Sequence, residues 1–252
     1  AWPNAPRLLA AEAASGIDLV LIRESTEGLF YSAAVHGRSV IHGDTGVDET
    51  LRITRATSEK LHRFAFRLTE KRKSRGKPGR LTCVDKANVF TSMAFFRSIF
   101  DEVAAGFPGV AHDYCYVDAM ALELVRRPWE YDVMVTENMF GDILSDLTAG
   151  LVGGMGIASC AEIGDHHGLF QPAHGSAPDI MGQDRANPLA TILSGALLLE
   201  YLAERLGDNR YADAAMVIEA AVEQGFTYGE LRPMEFGGTM GTDPMTRAVL
   251  NR

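Results

Sequence analysis

The sequence predicts an α/β protein in which helices flank a mixed or parallel sheet. Four short apolar runs have the length of buried strands: residues 17–23, 80–84, 112–117 and 131–136. Helical patterns begin near Thr91, Asp118 and Phe140, after the last three of these runs. Strands that alternate with helices in this way indicate β-α units, and therefore a sheet covered by helices.

The segments outside these units predict further elements. Glycines among Val and Ile residues suit a hairpin or a protruding arm at residues 33–48. Apolar residues at helical intervals predict a helix from Thr50 to about Lys73, and two more at residues 188–206 and 211–224. Asp243 is expected to cap a short terminal helix.

A glycine-rich run, Gly150-Leu-Val-Gly-Gly-Met-Gly156, could be mistaken for a dinucleotide-binding loop. A Rossmann glycine turn follows a strand and opens a helix, whereas this run closes a helical pattern, so it indicates helix termination. Residues 158–188 after it are rich in Gly, Pro and His and show little periodicity. They predict a long structured loop region, a kind of segment that often carries function.

Composition limits the class of protein. The chain has 252 residues, of which 46% are hydrophobic and 23% charged, which suits a soluble protein with one large or two modest domains. A formal net charge of -9 argues against a general nucleic-acid binder, which needs a basic surface. No apolar stretch approaches the ~20 residues of a membrane span. The three cysteines lack Cys-x-x-Cys spacing, which fits a reducing compartment, so we expect a cytoplasmic protein.

Asp142 and Asp146 are candidate ligands of a cation. They lie four residues apart at the start of an apolar-periodic run, so a helix would put both carboxylates on one face. Carboxylate oxygens suit Mg²⁺ or Mn²⁺ rather than zinc. Alternatively, acids near a helix N-terminus simply complement the helix dipole. The spacing alone does not decide between these two interpretations.

Several separated segments supply the context. In chain order they are Arg23-Glu-Ser-Thr-Glu-Gly, Leu81-Thr-Cys-Val-Asp-Lys86-Ala-Asn88-Val, Tyr-Val-Asp118-Ala-Met, Asn138-Met-Phe-Gly-Asp-Ile-Leu-Ser-Asp146, Pro172-Ala-His174-Gly-Ser-Ala-Pro-Asp179-Ile and Ala186-Asn187-Pro188. Together they resemble the signature segments of the isocitrate and isopropylmalate dehydrogenase family, the metal-dependent β-decarboxylating dehydrogenases. The resemblance spans the chain from about residue 2 to residue 250.

The resemblance implies a fold and a domain organisation. The fold would be isopropylmalate dehydrogenase-like, with a mixed sheet, and not a Rossmann fold. The chain opens without an initiator Met and without a complete β-α unit, so we expect the N-terminal part of this fold to be absent. Residues 1–152 would form a small dimerisation domain with an arm at about 33–48. Residues 153–252 would form the C-terminal half of a large NAD-binding domain.

The family's chemistry implies roles for the conspicuous side chains. Oxidising a 2-hydroxy acid and releasing its carboxylate needs a base, a nicotinamide, a cation and an acid. Asp118, Asp142 and Asp146 would bind Mg²⁺ or Mn²⁺, one of them from the neighbouring subunit of a homodimer, and Asp118 would also count as catalytic. Lys86 would be the base, supplied to the partner's site, and Asn88 would contact substrate or nicotinamide. Without the resemblance, Lys86 would pass for a surface lysine in a turn.

Cations must also hold the carboxylates of the substrate. The resemblance assigns this role to Arg23 and to Arg7. In the family a tyrosine seven residues after the equivalent of Arg23 is the usual proton donor, but this chain has Phe30 there and Tyr31 next to it. Neighbouring residues of a strand point to opposite faces, so Tyr31 could act as the acid only if a bulge re-aimed it.

The cofactor is also inferred from the resemblance. The residues that would bind it are His174, Gly175, Ser176, Ala177, Asp179 and Asn187. An acidic side chain accepts hydrogen bonds from ribose hydroxyls and repels a 2′-phosphate, so Asp179 implies NAD over NADP.

These inferences favour an NAD-dependent oxidative decarboxylase of a 3-substituted malate, with a 3-isopropylmalate-type substrate. Activity on tartrate, isocitrate or homoisocitrate is the near alternative. A non-catalytic regulatory subunit of a heteromeric NAD-isocitrate dehydrogenase is the alternative from another class. Phe30 supports that alternative, whereas the intact Lys86, Asp118, Asp142 and Asp146 oppose it. The expected partner is a small di- or tricarboxylate, with no nucleic acid and no membrane.

Overall fold

The structure, a computed structural model, describes residues 16–31 and 39–252. Its contacts divide the chain into two compact units: residues 17–148, and a second unit that contains residues 149–252. In the described part of the chain, no helix has the length and apolar character that crossing a membrane requires.

The elements are numbered in chain order. The strands are β1 (Val20–Arg23), β2 (Val40–Ile41), β3 (Val47–Asp48), β4 (Arg80–Asp85), β5 (Ala111–Tyr116), β6 (Val133–Thr136), β7 (Ser159–Ile163) and β8 (Gly168–Pro172). The α-helices are α1 (Arg55–Ser74), α2 (Thr91–Ala104), α3 (Val117–Arg126), α4 (Asn138–Val152), α5 (Leu189–Leu206), α6 (Asn209–Thr227) and α7 (Thr242–Leu250). Single 3-10 turns lie at Pro128–Glu130, Pro178–Ile180 and Met234–Phe236.

Four strands of the first unit form a parallel sheet in the order β1-β6-β4-β5. All of β6 and all of β4 after Arg80 are buried, which explains why these two strands read as nearly continuous runs of apolar and small residues. Because the strands are parallel, their C-terminal ends lie together at one edge of the sheet, called here the carboxyl edge. The opposite edge is called the amino edge. The predicted α/β class is confirmed.

Helices α1 and α2 pack against each other and against this sheet. Phe66 of α1 and Phe96 and Phe100 of α2 are almost completely buried, in one cluster with Leu81 and Val133 of the strands. Burying a side chain of this size stabilises the fold by roughly 1.5–3 kcal/mol. This core fixes where the strand ends lie, and therefore where the candidate site lies.

In its described residues, the second unit contains the helices α5, α6 and α7 and a β-hairpin. Helix α5 packs against α6 and against the antiparallel pair β7–β8, and α6 packs against α7. Its core contains Leu189, Val222, Phe226, Leu231 and Met245. The helix α4 ends at Val152, and Gly153 and Gly154 follow it with φ of 130° and 132°, which agrees with the predicted helix termination.

Some boundaries differ from the prediction. The helix expected from Thr50 begins at Arg55, and the strand expected from residue 17 begins at Val20. The predicted arm contains the short antiparallel hairpin β2–β3, although residues 32–38 lie outside the described part of the chain.

Two predictions were wrong. The loop expected at residues 158–188 contains the hairpin β7–β8, since Gly168 and Pro172 bound a paired strand instead of interrupting one. Asp243 is not the cap of the last helix. The helix begins at Thr242, and the backbone N–H of Asp243 donates to the Asp184 carboxylate at 2.8 Å.

Candidate active site

Charged side chains collect at the carboxyl edge of the parallel sheet. Arg23 ends β1, Lys86 follows the last residue of β4, Asp118 follows β5 by two residues, and Asn138 follows β6 by two. In open α/β sheets, ligands bind outside the C-terminal ends of the strands. The fold therefore places the three predicted site residues Arg23, Lys86 and Asp118, together with Asn138, where a ligand site is expected.

Arg23 forms the first group of contacts. Its Nη1 lies 2.5 Å from a carboxylate oxygen of Asp142, and its Nε and Nη2 donate to the side-chain oxygen of Asn138 at 2.9 and 2.7 Å. Asn138 in turn donates to the backbone carbonyl of Glu27 at 3.0 Å. A Cβ at Gly141 would come within 2.6 Å of the Arg23 side chain, so a glycine is required where Arg23 lies along α4. The contacts with Asn138 and Asp142 therefore hold the Arg23 guanidinium in one orientation.

The start of α4 is fixed by a buried acid. Glu137 accepts hydrogen bonds from the backbone N–H groups of Met139 and Phe140 at 3.1 and 2.7 Å, which satisfies two of the free N–H groups of the first turn. Burial raises the pKa of Glu137. Asp142 and Asp146 follow on the next turns, and both are exposed. The helix predicted from their spacing is present, so both carboxylates lie on one face.

Lys86 and Asp118 form the second group. The Lys86 Nζ lies 2.5 Å from a carboxylate oxygen of Asp118, although the two residues are 32 positions apart in sequence. The hydrogen bond from Lys86 lowers the pKa of Asp118. The backbone carbonyl of Lys86 accepts from the N–H groups of Val89 and Phe90, both at 3.0 Å, and Asn88 is exposed in this turn.

The three predicted cation ligands do not lie on one element: Asp142 and Asp146 are on α4, and Asp118 is on α3. Among the described residues, no group of three or more His, Cys, Asp or Glu side chains is placed to hold a metal ion. Asp142 and Asp146 fit as two oxygen ligands of a hard cation, while Asp118 belongs to the other group. Carboxylate oxygens such as those of Asp142 and Asp146 are ligands suited to Mg²⁺ or Mn²⁺.

The expected proton donor needs a correction. The backbone at Phe30 and Tyr31 is helical, so the strand alternation and the bulge invoked for Tyr31 do not apply. Tyr31 is buried, its hydroxyl is hydrogen-bonded to Arg52, and the Arg52 guanidinium lies 4.6 Å from the centre of its ring. Phe30 lies close to Arg23 in space, with the Arg23 guanidinium 5.6 Å from the centre of the Phe30 ring. The structure therefore places the Phe30 ring beside Arg23 and the Tyr31 hydroxyl on Arg52.

The predicted cofactor residues belong to the second unit. Residues 173–179, which include His174, Gly175, Ser176, Ala177 and Asp179, are all exposed. The His174 Nδ1 donates to the carbonyl of Gly175 at 2.8 Å, because a carbonyl can only accept. Ala177 has a left-handed backbone with φ of 43° and starts the 3-10 turn that carries Asp179.

Asn187 is held by contacts on both sides of its amide. Its Nδ2 donates to Glu235 at 3.1 Å, and its oxygen accepts from the backbone N–H of Leu189 at 3.1 Å. Glu235 also accepts from the N–H of Gly156 at 3.1 Å. Arg7, the other predicted substrate contact, lies outside the described residues.

Sequence reasoning gave no role to two side chains that orient predicted site residues. Asn138 stands inside a segment that carries the resemblance, so its position was a usable signal for a partner of Arg23. Glu235 carries no local signal, because it is 48 residues from Asn187. Only the fold brings Glu235 to Asn187.

Comparisons with known proteins identify the family of this chain. The family model described as isocitrate/isopropylmalate dehydrogenase matches residues 3–249. The chain is 43% identical over 238 residues to 3-isopropylmalate/3-methylmalate dehydrogenase of Methanocaldococcus jannaschii, covering 94% of this chain and 67% of that protein. It is 42% identical over 225 residues to 3-isopropylmalate dehydrogenase of Moorella thermoacetica, covering 89% and 59%.

A solved structure gives the same result. The isocitrate dehydrogenase from Methylococcus capsulatus superposes with a TM-score of 0.85 at 34% identity, covering 100% of this chain and 70% of that one. The chain belongs to the isocitrate/isopropylmalate dehydrogenase family. It spans between 59% and 67% of the length of the two curated relatives described above.

Proposed function

We propose that the protein containing this chain catalyses the NAD-dependent oxidative decarboxylation of a 3-substituted malate of the 3-isopropylmalate type, with Mg²⁺ or Mn²⁺. The observation that carries this proposal is the pairing of exposed opposite charges at the carboxyl edge, Lys86 with Asp118 and Arg23 with Asp142. Each pair contains one group suited to a carboxylate or a hydroxyl and one suited to a cation. A hydroxy acid that arrives with a divalent cation can exchange with both pairs.

The chain's own residues divide the work. Arg23, oriented by Asn138, presents its remaining N–H groups to a substrate carboxylate. Lys86 takes the proton of the substrate hydroxyl, and Asn88 beside it contacts the substrate or the nicotinamide. Asp118, Asp142 and Asp146 would hold the cation. When bound, NAD would accept the hydride of the alcohol carbon and the cation would polarise the reacting oxygen, and water would supply the proton that replaces the departing CO₂.

We propose a homodimer with shared sites, and the separation of the two groups supports it. Asp142 lies with Arg23 and shares a helix with Asp146, while Asp118 lies with Lys86, so among the described residues the three carboxylates do not form one metal-binding group. We infer that Asp118 of the partner subunit completes the cation site and arrives together with the partner's Lys86. Exposed apolar side chains on α3 and α4, among them Leu122, Val125 and Ile143, offer surface for such a contact.

NAD is proposed as the cofactor because of Asp179. Its exposed carboxylate lies in the 3-10 turn after the left-handed Ala177, where it can accept from ribose hydroxyls. A 2′-phosphate in the same place would meet a like charge. His174, with its proton on Nδ1, keeps Nε2 available as an acceptor or a donor to the adenine.

Phe30 favours a second candidate, a non-catalytic regulatory subunit of a heteromeric dehydrogenase. A phenylalanine beside Arg23 supplies no proton, and the buried Tyr31 does not replace it. Such a subunit would bind the hydroxy acid without converting it. If only the missing proton limits turnover, Phe30→Tyr should raise kcat by up to ~10²-fold.

The test is a turnover screen of the full-length protein with NAD, Mn²⁺ and a panel of 3-substituted malates, isocitrate, homoisocitrate and tartrate. CO₂ release with any of these acids excludes the regulatory subunit. Binding of the acids without turnover supports the regulatory subunit, and the acid that is turned over fastest identifies the substrate.

Mixed dimers test the sharing of the site. A dimer of one Lys86→Ala chain and one Asp142→Asn chain has one site with every wild-type group if Lys86 and Asp142 come from opposite subunits. At an Mn²⁺ concentration that is half-saturating for the wild-type protein, activity should therefore rise when the two impaired proteins exchange subunits. Exchange verified by mass spectrometry without recovered activity would contradict the shared site.

A further inference from the structure

A buried ion pair lies directly behind Lys86. Asp85, the last residue of β4, is completely buried, and its two carboxylate oxygens accept from the Nε and Nη2 of Arg97, both at 2.7 Å. One of these oxygens also accepts from the backbone N–H of Ala87 at 2.8 Å. The carboxylate therefore ties the residue before Lys86 to the residue after it, and both to helix α2.

Arg97 extends this connection to the neighbouring strand. Its guanidinium lies 4.7 Å from the ring centre of Tyr114 and 5.3 Å from that of Tyr116, both on β5. The same Tyr116 ring lies 5.8 Å from the Lys86 Nζ, and Tyr116 is paired with Asp85 in the register of the sheet. The Tyr116 ring is thus in contact range of both cations, two residues before Asp118.

We propose that Asp85 and Arg97 are positioning residues for Lys86, a proposal that rests on the proposed function. They fix the turn that carries Lys86 and Asn88, and through Tyr116 they fix the direction from which Lys86 meets Asp118. A base must be held within hydrogen-bonding reach of the proton that it removes, and a misplacement of about 1 Å can cost ~10²-fold in rate.

The amino edge of the same sheet shows what a purely structural pair of this kind looks like. Asp132, just before β6, is also buried, and the Nε of Arg72 from α1 donates to it at 2.6 Å. Asp132 accepts from the backbone N–H groups of Gly79 and Arg80 at 2.7 and 3.3 Å. Both pairs join a helix to a strand end through a buried aspartate, but only the Asp85 pair holds a predicted site residue.

The experiment compares Arg97→Met with Arg72→Met in the full-length protein. Each variant strips a buried aspartate of its arginine, so both should lose thermal stability to a similar degree. Only Arg97→Met should lower kcat, by up to ~10²-fold, with a smaller change in KM for the hydroxy acid. Labelling of Lys86 by acetic anhydride, followed by peptide mass spectrometry, should become at least ~threefold faster in Arg97→Met alone, because the restraint on the turn is lost.

The outcomes separate this inference from the proposed function. Wild-type kcat and wild-type Lys86 labelling in a folded Arg97→Met protein would overturn the positioning role. If the protein turns over none of the hydroxy acids, the proposed function fails, and the labelling still decides whether Arg97 restrains Lys86. If Arg97→Met does not fold, Arg97→Lys takes its place. Lysine keeps the charge but cannot bind both oxygens of the Asp85 carboxylate in the bidentate geometry of arginine. Arg97→Lys should show intermediate kcat and labelling, and wild-type values for both would count against the proposal.

Discussion

Each edge of the parallel sheet has a buried aspartate paired with an arginine, and each also has exposed ion pairs, but only the carboxyl edge has predicted site residues. At the amino edge, Arg72 contacts both Asp132 and Asp18, and Lys77 lies 2.5 Å from the same Asp18. These contacts close a network around the buried Asp132 and pin the end of α1. At the carboxyl edge, Arg97 pairs with the buried Asp85 in the same way. Two further ion pairs at this edge, Lys86–Asp118 and Arg23–Asp142, contain predicted site residues.

Exposed ion pairs occur at both edges of the sheet. The Asp118 side chain is 68% exposed and that of Asp142 is 53%, and at the amino edge the Asp18 side chain, which pairs with Lys77, is 49% exposed. Ion pairs this open add little to stability, typically below about 1 kcal/mol. What distinguishes the pairs at the carboxyl edge is that they contain predicted site residues, Lys86 with Asp118 and Arg23 with Asp142. The comparison teaches that position at the C-terminal strand ends, and neither the number nor the exposure of the ion pairs, distinguishes the candidate site from the structural contacts.

The largest expected difference between the edges is that between Lys86 and Lys77. Both lysines lie 2.5 Å from an aspartate oxygen at a sheet edge. Lys86→Met should lower kcat by ~10²–10⁴-fold, because it removes the proposed base, while Lys77→Met should leave kcat unchanged. Steady-state kinetics of the two full-length variants measure this. Equal kcat values for both would remove the distinction between the edges.

The sequence was sufficient for most of the fold and for the location of the charges. Apolar runs predicted β4, β5 and β6 within about two residues, and β4 and β6 are buried parallel strands, which have the clearest pattern. The hairpin β7–β8 escaped because its strands alternate weakly and contain Gly168 and Pro172. The strand and bulge expected at Tyr31 were wrong because the backbone there is helical, and no local pattern signalled that.

Side-chain pairing was the part that the sequence could not give. Asn138 lies 115 residues from Arg23, and Lys86 lies 32 residues from Asp118. Such contacts depend on the strand order β1-β6-β4-β5, which periodicity does not encode. The expectation of one carboxylate from another subunit came from the family resemblance, and the separation of Asp118 from Asp142 in one chain is compatible with it.

A buried histidine allows stability to be changed without touching either edge. His62 of α1 is completely buried, its Nε2 donates to the Phe96 carbonyl at 3.2 Å, and its Nδ1 has no hydrogen-bond partner. Burial lowers the pKa of His62 from 6.5 to about 4. Between these pH values the unfolded chain binds more protons than the folded one, so the free energy of unfolding falls as the pH falls, by up to about 3 kcal/mol at pH 4.

His62→Gln should remove this part of the acid sensitivity, because glutamine can still donate to the Phe96 carbonyl but does not titrate. Urea unfolding at pH 7.5 and at pH 4.5 measures the change, and kcat at neutral pH should stay at the wild-type value. His112→Gln is the matched control, since both histidines pack edge-on against the Phe100 ring but His112 is exposed. An equal effect of both substitutions would show that the acid sensitivity has another source.

A smaller effect is expected at the cation site. Asp142→Asn keeps the shape of the side chain but removes a charged ligand, so the Mn²⁺ concentration for half-maximal activity should rise at least ~tenfold, ~1.4 kcal/mol in binding. Asp18→Asn, the equivalent change at the amino edge, should leave it unchanged. A metal requirement abolished by Cys115→Ser would show instead that the ligands are not the carboxylates.

The smallest expected effect is that of Tyr31→Phe on kcat. The Tyr31 hydroxyl is bonded to Arg52, and Tyr31 is buried beside it, away from the Arg23 group where Phe30 lies. Removing the hydroxyl should therefore lower kcat by less than ~threefold, which excludes a general acid worth ~10²-fold or more. It should still lower the free energy of unfolding by about 1–3 kcal/mol, because Arg52 loses a buried partner. Kinetics and urea unfolding of one variant give both numbers. A loss of kcat near 10²-fold would instead indicate that Tyr31 is the general acid. The candidate site at the carboxyl edge would then include a buried side chain whose hydroxyl contacts Arg52 in this structure.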